Sequence, residues 1–290
     1  MIYDVTHITA YRYADPVDLA QCVLRLQPGD QPRQRVVASV LNLTPHPHEM
    51  EQTLDFFGNR VAQLIFSGLH EELVIEARSR VIVEPPLATE RSQAWENLRS
   101  IAAMSTDLSP HSPVHYLFAS RYVPLIAAAR EFGLASVWPQ RPVLDLAIDI
   151  SNRIHDNFAY DPDATDVSTP ISQTLAQKRG VCQDFAHVMI AALRTLGLPA
   201  AYVSGYLRTL PPPGKPRLVG ADASHTWVMV WCGAEAGWIG IDPTNRRLAG
   251  TDHIILAIGR DYADIAPVNG VFRTSSGHTL KVSVDVAEVV

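Results

Sequence analysis

The 290-residue sequence has no apolar run near the roughly 20 residues that a membrane-spanning helix requires. Basic residues are not in excess, because 24 Lys and Arg stand against 30 Asp and Glu and give a formal net charge of -6. Without clustered positive charge, neither a nucleic acid nor a membrane is expected as a partner. The composition, 47% hydrophobic and 19% charged, is instead typical of a globular protein with a sizeable core.

Cysteine is scarce, and its spacing excludes two common uses. The three cysteines, Cys22, Cys182 and Cys232, are too few and too widely spaced for a disulfide framework or a Cys-x-x-Cys motif. At least one thiol must therefore be free. The first residues, MIYDVTHITAYRY, lack the basic and apolar segments of a secretion signal. We expect a cytoplasmic protein, in which a thiolate can do chemistry.

Short apolar segments separated by Pro, Gly, Asp and Asn dominate the first 84 residues. Five of them, rich in Val, Ile, Leu and Tyr, predict an antiparallel sheet or sandwich. The segment EPPLATERSQ, residues 84–93, then interrupts the pattern, and helical spacing follows it. We therefore predict a β-rich, sandwich-like N-terminal domain at 1–90 and a second domain at 91–290.

The second domain begins with helical patterns and ends with strands, so its predicted class is α+β. Its strongest helix is CQDFAHVMIAALRTLG, residues 182–197, which ends at a glycine in the position of a C-cap. A Pro/Gly loop is predicted at 211–216. The strands HTWVMVWC and GWIGID follow as a hairpin, and further strands are predicted at 253–258 and 278–286.

Cys182 is the first chemical candidate because it lies where the strongest helix should begin. The unpaired N–H groups and positive dipole end of a first helical turn favour a thiolate over a thiol. Gly180 permits a backbone turn that a Cβ atom would hinder. Position alone does not decide the role, since free cysteine is among the most frequently buried residue types.

Two residues of the predicted hairpin could complete a catalytic set with this cysteine. A cysteine nucleophile needs a histidine to take its proton and a third group to orient the histidine. Pairing Trp231 with Trp238 brings His225 near Asp242 at the open end of the hairpin. We expect the helix of the cysteine to lie across the hairpin face that carries His225 and Trp227.

A zinc site is the main alternative for these residues. Zinc accepts two thiolates and two imidazoles, and the set would be Cys182, His187, His225 and Cys232. The spacings match none of the common finger or ribbon patterns, so the nucleophile is favoured. His187 lies about 140° around the helix from Cys182, which favours a core histidine over a partner of the thiol.

A resemblance to a known family lies in three stretches: GVCQDFAHVMIAALRTLGLPAAYVSGYL, DASHTWVMVWCGAEAGWIGIDPTN and HIILAIGRDYADIAPVNGVFR. They resemble the transglutaminase-like cysteine enzymes, specifically bacterial proteins with an N-terminal β-domain before the transglutaminase core. The resemblance implies a papain-like α+β core in which Cys182 is the nucleophile. It also implies that His225 is the general base and acid, and that Asp242 orients its imidazole.

Two supporting residues are proposed near the nucleophile. Tyr160 resembles the aromatic residue that family members place near the oxyanion site, where its phenol could donate a hydrogen bond. A half-buried aromatic residue at a helix end is an equally good interpretation. Gln183 would offer its backbone N–H from the first helical turn, and its side chain could face the cleft or the solvent.

The reaction that these residues predict is acyl transfer from a peptide or isopeptide amide through a thioester. It requires no metal and no cofactor. Water as acceptor makes a cysteine peptidase or amidase, which we favour, and an amine acceptor makes a transglutaminase. The expected partner is a peptide or protein substrate, and the chain could form a homo-oligomer. A non-catalytic peptide-binding scaffold, with the N-terminal sheet adding a strand, is the alternative from another class.

Overall fold

The computed structural model describes residues 1–86, 92–209, 223–273 and 277–289. Its secondary structure is α+β, with an antiparallel sheet first and a mixed helical and stranded core after it. The first four strands are β1 (Ile2–Leu24), β2 (Gln34–Thr44), β3 (Glu49–Leu54) and β4 (Arg60–Val83). The predicted Pro/Gly loop at 211–216 and part of the interruption at 84–93 lie outside the described residues.

The N-terminal sheet is built on the two long strands β1 and β4, which pair antiparallel. Four of the five predicted segments merge, two into each of these long strands. Within β1 the predicted break between Arg12 and Val17 is a shift of register against β4 and not a turn. β2 pairs with one half of β4, and β3 pairs with the other half. Residues of both halves share one core, which makes the domain sandwich-like.

In its described residues, the second unit combines six α-helices and a short 3-10 helix (Pro113–Tyr116) with a five-stranded sheet. The helices are α1 (Trp95–Ala103), α2 (Ala127–Leu134), α3 (Val143–Asn157), α4 (Ile171–Gln177), α5 (Cys182–Thr195) and α6 (Tyr262–Ile265). The short strands β5 (Ala159–Tyr160) and β6 (Arg179–Gly180) form a separate parallel pair. The remaining strands are β7 (Ala200–Leu207), β8 (Ala223–Trp231), β9 (Trp238–Asp242), β10 (Arg247–Leu248) and β11 (His253–Gly259).

Helix α5 is the centre of this second unit. Eleven of its fourteen residues, from Asp184 to Arg194, are buried, and its apolar side chains share one core with α3 and with β7, β8 and β9. The helix ends as predicted, because Gly197 has a φ of 80° and follows the last turn. The sheet beneath it has the strand order β10-β9-β8-β7-β11. Because α5 is buried against this sheet, its first residue has little freedom to move.

The end of the chain returns to the N-terminal sheet. Strands β12 (Val268–Phe272) and β13 (His278–Glu288) both pair with β1, the latter from Tyr3 opposite Glu288 to Tyr13 opposite His278. The predicted strand at 278–286 is therefore present, but it joins the first sheet rather than the second. Its alternating pattern indicates a strand and carries no information on the partner. The division at residue 90 stays a prediction, and the first sheet draws strands from both sides of it.

The two units meet along the edge strand β11. The buried amide of Gln34 accepts from the backbone N–H of Ile255 and donates to its carbonyl, both at 2.8 Å. Asn59 makes the same pair of bonds with Ile258, also at 2.8 Å. These two side chains take the place of a neighbouring strand and satisfy backbone groups that would otherwise be buried without partners. Within the described ranges, no helix combines the length and the apolar character needed to span a bilayer.

Candidate active site

Cys182 is the first residue of α5, and a buried carboxylate holds the turn that precedes it. Asp184 accepts hydrogen bonds from the backbone N–H of Val181 at 2.8 Å and from the hydroxyl of Thr165 at 2.6 Å, both at Oδ2. A Cβ atom on Gly180 would lie 2.5 Å from that same oxygen. Gly180 also has a φ of 156°, so glycine is required here for space and for conformation. The helix start is thus built around a residue without a side chain.

His225 and Asp242 meet at the open end of the hairpin formed by β8 and β9. The predicted register is confirmed, because Trp231 pairs with Trp238. His225 Nε2 lies 2.9 Å from Asp242 Oδ2, and the side chains are 7% and 0% exposed. In this arrangement the Nε2–H group donates a hydrogen bond to the carboxylate, so Nδ1 is the nitrogen available to the thiol.

The helix does not pack on the expected face of the hairpin. Tyr202, which pairs with Val228, contacts His187 of α5 with a ring separation of 4.9 Å, so this side of the sheet faces the helix. Trp227 lies on the opposite side, where a Cβ atom on Gly205 would come within 2.5 Å of its ring. The expectation of a helix across the Trp227 face is wrong. The large indole needs the space that glycine leaves, whereas β-branched valines suit a helix surface.

The three predicted residues form one electrostatic unit despite this difference. Burial opposes the charge of Asp242, yet hydrogen bonds from His225 and His253 hold the pKa of its carboxyl well below the ordinary range. Burial would lower the pKa of His225, but the hydrogen bonds and charges of Asp242 and Cys182 raise it to about 9. Burial would raise the pKa of the Cys182 thiol, but the hydrogen bond and charge of His225 lower it below its ordinary value. Together these directions favour a thiolate and imidazolium pair.

Thr226 adds a second source of thiolate stabilisation. Its side chain and its backbone N–H both contribute to the lowered pKa of Cys182, after burial and His225. The same buried hydroxyl also interacts with the phenol of Tyr202. The sulfur therefore faces donors from two successive residues of β8.

Tyr160 and Gln183 lie on either side of the cysteine. The parallel pair β5 and β6 sets Tyr160 beside Gly180, and burial together with the charge of Cys182 raises the pKa of its phenol. The side chain is 58% exposed, so the phenol can reach a bound ligand. The Gln183 side chain donates to the carbonyl of Val167 at 3.4 Å and does not stand free in the cleft. As the second residue of α5, Gln183 has a backbone N–H without an intrahelical acceptor.

Asn245 and His253, which were not predicted as site residues, also contact the carboxylate of Asp242. Asp242 Oδ1 accepts from the backbone N–H groups of Thr244 and Asn245 at 3.0 and 3.1 Å, and Asn245 Nδ2 donates to Oδ2 at 2.7 Å. His253 Nε2 lies 3.2 Å from the same Oδ2. His253 was predicted at the start of a strand, but no pattern around either residue indicates contact with the carboxylate.

The zinc alternative is wrong, because the structure does not bring its four residues together. His187 Nε2 accepts from the backbone N–H of Tyr262 at 3.3 Å and lies in the core, while Cys232 is buried near the carbonyl of Val230. In the described ranges, the group whose ligand atoms lie close enough for a metal is His225, Asp242 and His253, with all atoms within 4.8 Å. These atoms hydrogen-bond to one another, as given above.

Two family models match the chain. Residues 3–82 match the bacterial transglutaminase-like N-terminal region, and residues 130–243 match the transglutaminase-like superfamily, a range that contains all three predicted catalytic residues. An uncharacterized protein of Mycobacterium tuberculosis is 38% identical over 300 residues, which cover 98% of this chain and 92% of that protein. An uncharacterized protein of Mycobacterium leprae is 30% identical over 288 residues, which cover 98% of each chain.

Two further relatives carry functional names. A protein-glutamine gamma-glutamyltransferase of Pseudomonas aeruginosa is 35% identical over 121 residues, which cover 41% of this chain and 18% of the transferase. A crystal structure of a candidate cysteine protease from Cytophaga hutchinsonii superposes with a TM-score of 0.75 over 100% of this chain and 91% of that chain. The sequence identity of this pair is 20%, so the likeness concerns the fold.

Proposed function

The chain belongs to the transglutaminase-like superfamily, and from this membership and the geometry of the site we propose that it is a thiol-dependent amide hydrolase. The observation that carries the proposal is the position of His225, which hydrogen-bonds to Asp242 and interacts with the thiol of Cys182. A pair of this kind supplies a nucleophile near neutral pH without a metal or a cofactor. The substrate class that we propose is a peptide or protein amide, including isopeptide bonds.

The proposed reaction has two steps. In the first, the sulfur of Cys182 bonds to the carbonyl carbon, the C–N bond breaks, and the amine leaves with a proton from His225. In the second, His225 takes a proton from water, the hydroxide adds to the thioester, and the C–S bond breaks to release the acid and the thiolate. Backbone N–H groups at the start of α5 and the phenol of Tyr160 are the candidate donors to the oxyanion of each step.

Transfer to an amine is the second candidate function. The partial match to a protein-glutamine gamma-glutamyltransferase favours it, although the match covers less than half of this chain. The chemistry differs only in the acceptor, because an amine in place of water would release a new amide from the same thioester. We prefer water, since nothing in the sequence points to a tunnel for a lysine donor.

Trapping the thioester tests the proposal. The protein is mixed with a pool of amide-bearing peptides, quenched in acid and digested, and the peptide that contains Cys182 is weighed by mass spectrometry. We expect an added acyl mass on Cys182 and none in a Cys182→Ala variant. The Cys232→Ala variant should behave as the wild type, because that thiol is buried. Adding a primary amine during turnover then separates the acceptors, since hydrolysis gives acid and transfer gives a new amide.

The non-catalytic scaffold predicts no acyl mass on Cys182 with any peptide. A second finding against the hydrolase would be a His225→Ala variant whose thiol reacts as fast as that of the wild type near pH 6. The cytoplasm remains the compartment that we propose, because the three cysteines are unpaired in the structure and the reaction needs a reduced thiol. A homo-oligomer likewise remains a proposal, which light scattering would test.

A further inference from the structure

A second imidazole is buried against the carboxylate of Asp242. His253, the first residue of β11, has a side chain that is 2% exposed, and its Nε2 lies 3.2 Å from Asp242 Oδ2. His225 Nε2 approaches the same oxygen at 2.9 Å. Two imidazoles therefore share one carboxylate oxygen, and only one of them interacts with the thiol.

The proton of His253 is located by its other nitrogen. The backbone N–H of Gly250 donates to Nδ1 at 3.2 Å, so Nδ1 has a lone pair there and no proton. A neutral imidazole has one N–H, which must then be on Nε2 and point at Asp242. The Trp227 indole packs edge-on against the ring, with centroids 5.1 Å apart, and limits its rotation. His253 is thus a fixed donor to the carboxylate.

We propose that His253 is a positioning residue of the active site, a donor that is neutral at neutral pH, shares Asp242 Oδ2 with His225 and limits the negative charge that His225 meets. The inference rests on the proposed function, because it assigns a role within the same thiolate and imidazolium pair. Asn245 holds the carboxylate from another direction, so the orientation of Asp242 does not depend on His253 alone. The contribution of His253 is therefore to the charge on the oxygen.

The charges around His253 agree with a neutral ring. Burial lowers its pKa, the hydrogen bond and charge of Asp242 oppose this, and the positive charges of Arg247 and His225 lower it further. The groups that face His225 are Asp242, Cys182 and, across the shared oxygen, His253. A proton on His253 would place a second positive charge beside His225, which the burial of both rings disfavours.

A metal ion shared by His225, Asp242 and His253 would require a different proton arrangement. A metal-bound imidazole binds through an unprotonated nitrogen and usually donates from the other one. His253 has the reverse pattern, because Nδ1 accepts from Gly250 and Nε2 faces the carboxylate. We therefore favour the hydrogen-bonded arrangement over a metal site.

The test compares two substitutions in the full chain. His253→Leu removes the donor and leaves an apolar side chain of similar size, while His253→Gln keeps an N–H near the place of Nε2. The wild type and both variants are reacted with iodoacetate from pH 5 to 11. Because this reagent is an anion, its reaction with Cys182 slows when the imidazolium of His225 loses its proton. The pH of that decline reports the pKa of His225.

Removing the donor concentrates negative charge on the oxygen that faces His225, and a stronger negative charge stabilises the imidazolium. We expect the decline in His253→Leu to move upward by about one pH unit. In His253→Gln it should stay at the wild-type position. An unmoved or downward-shifted decline in His253→Leu, with native near-ultraviolet circular dichroism, would overturn the inference. If His253→Leu does not fold, a shifted decline in a folded His253→Gln would overturn it.

An independent measurement keeps this test separate from the test of the function. Nitrogen-15 correlation spectra of the imidazoles should show His253 as the neutral Nε2–H form throughout pH 7 to 9. A ring protonated on Nδ1, a titration within that range, or stoichiometric zinc in the purified protein would overturn the inference. If wild-type Cys182 shows no reactivity that depends on His225, the hydrolase proposal fails, and the spectra still decide the state of His253.

Discussion

Replacing Asp242 by Asn should remove the thiolate at neutral pH. The site raises the pKa of His225 from 6.5 to about 9, which corresponds to roughly 3 kcal/mol in favour of the charged ring. Burial opposes this preference, which comes from the hydrogen bonds and charges of Asp242 and Cys182. Without the carboxylate, burial is the largest remaining influence on His225 and favours the neutral imidazole.

A neutral imidazole cannot hold a thiolate beside it. Burial then raises the pKa of the Cys182 thiol above its ordinary value, because the opposing influence of His225 is lost. An ordinary thiol is about 1% ionised at pH 6.5, so the thiolate fraction falls to that level or below. We expect the alkylation of Cys182 at this pH to slow by roughly 100-fold in Asp242→Asn.

The assay is alkylation by iodoacetamide at pH 6.5, with the peptide that contains Cys182 followed by mass spectrometry. Burial raises the pKa of Cys22 to about 11 and that of Cys232 to about 12, so both thiols serve as slow internal references. Asp145→Asn is the control, since it removes one exposed carboxylate of α3. A rate in Asp242→Asn that stays within threefold of the wild type, in a folded protein, would refute the reasoning.

Substitutions of Thr226, Gly180 and His7 should change thiol reactivity or stability in ways that can be measured. Thr226→Val should slow the alkylation of Cys182 about tenfold at pH 6, because the hydroxyl that lowers the pKa of the thiol is lost while the backbone N–H remains. Gly180→Ala should lower the free energy of unfolding in urea by about 1–3 kcal/mol more than Gly237→Ala, since both glycines have a positive φ but only Gly180 lacks space for a Cβ atom. Burial lowers the pKa of His7 to about 4. Between pH 6.5 and 4, His7 therefore binds a proton in the unfolded chain but not in the folded protein. The contribution of His7 to stability should therefore fall by roughly 3 kcal/mol as the pH drops through this window, and His7→Gln should flatten the total fall measured by denaturant titration by about that amount.

The sequence predicted the catalytic candidates of the site better than it predicted how the elements around them pack. Cys182 at a helix start and the pairing of Trp231 with Trp238 follow from local patterns, because helix caps and short hairpins are decided by neighbouring residues. The side of the hairpin that faces the helix depends on where glycine leaves room for Trp227, which is a tertiary property. His253 reaches Asp242 through strands that are not adjacent in sequence, and nothing in its own segment indicates this contact.

The pairing of β1 with the last two strands affects how this protein folds during translation. Strand β1 pairs along one side with β12 and β13, so that side stays unpaired while nearly the whole polypeptide is translated. Helix α5, which begins at Cys182, emerges long before the final strands that complete the N-terminal sheet. An unpaired strand edge of this length invites association with other nascent chains, and late pairing across such a distance is slow. We expect stalled chains that end before residue 268 to be cut by protease within β1, and chains that include β13 to resist the cut.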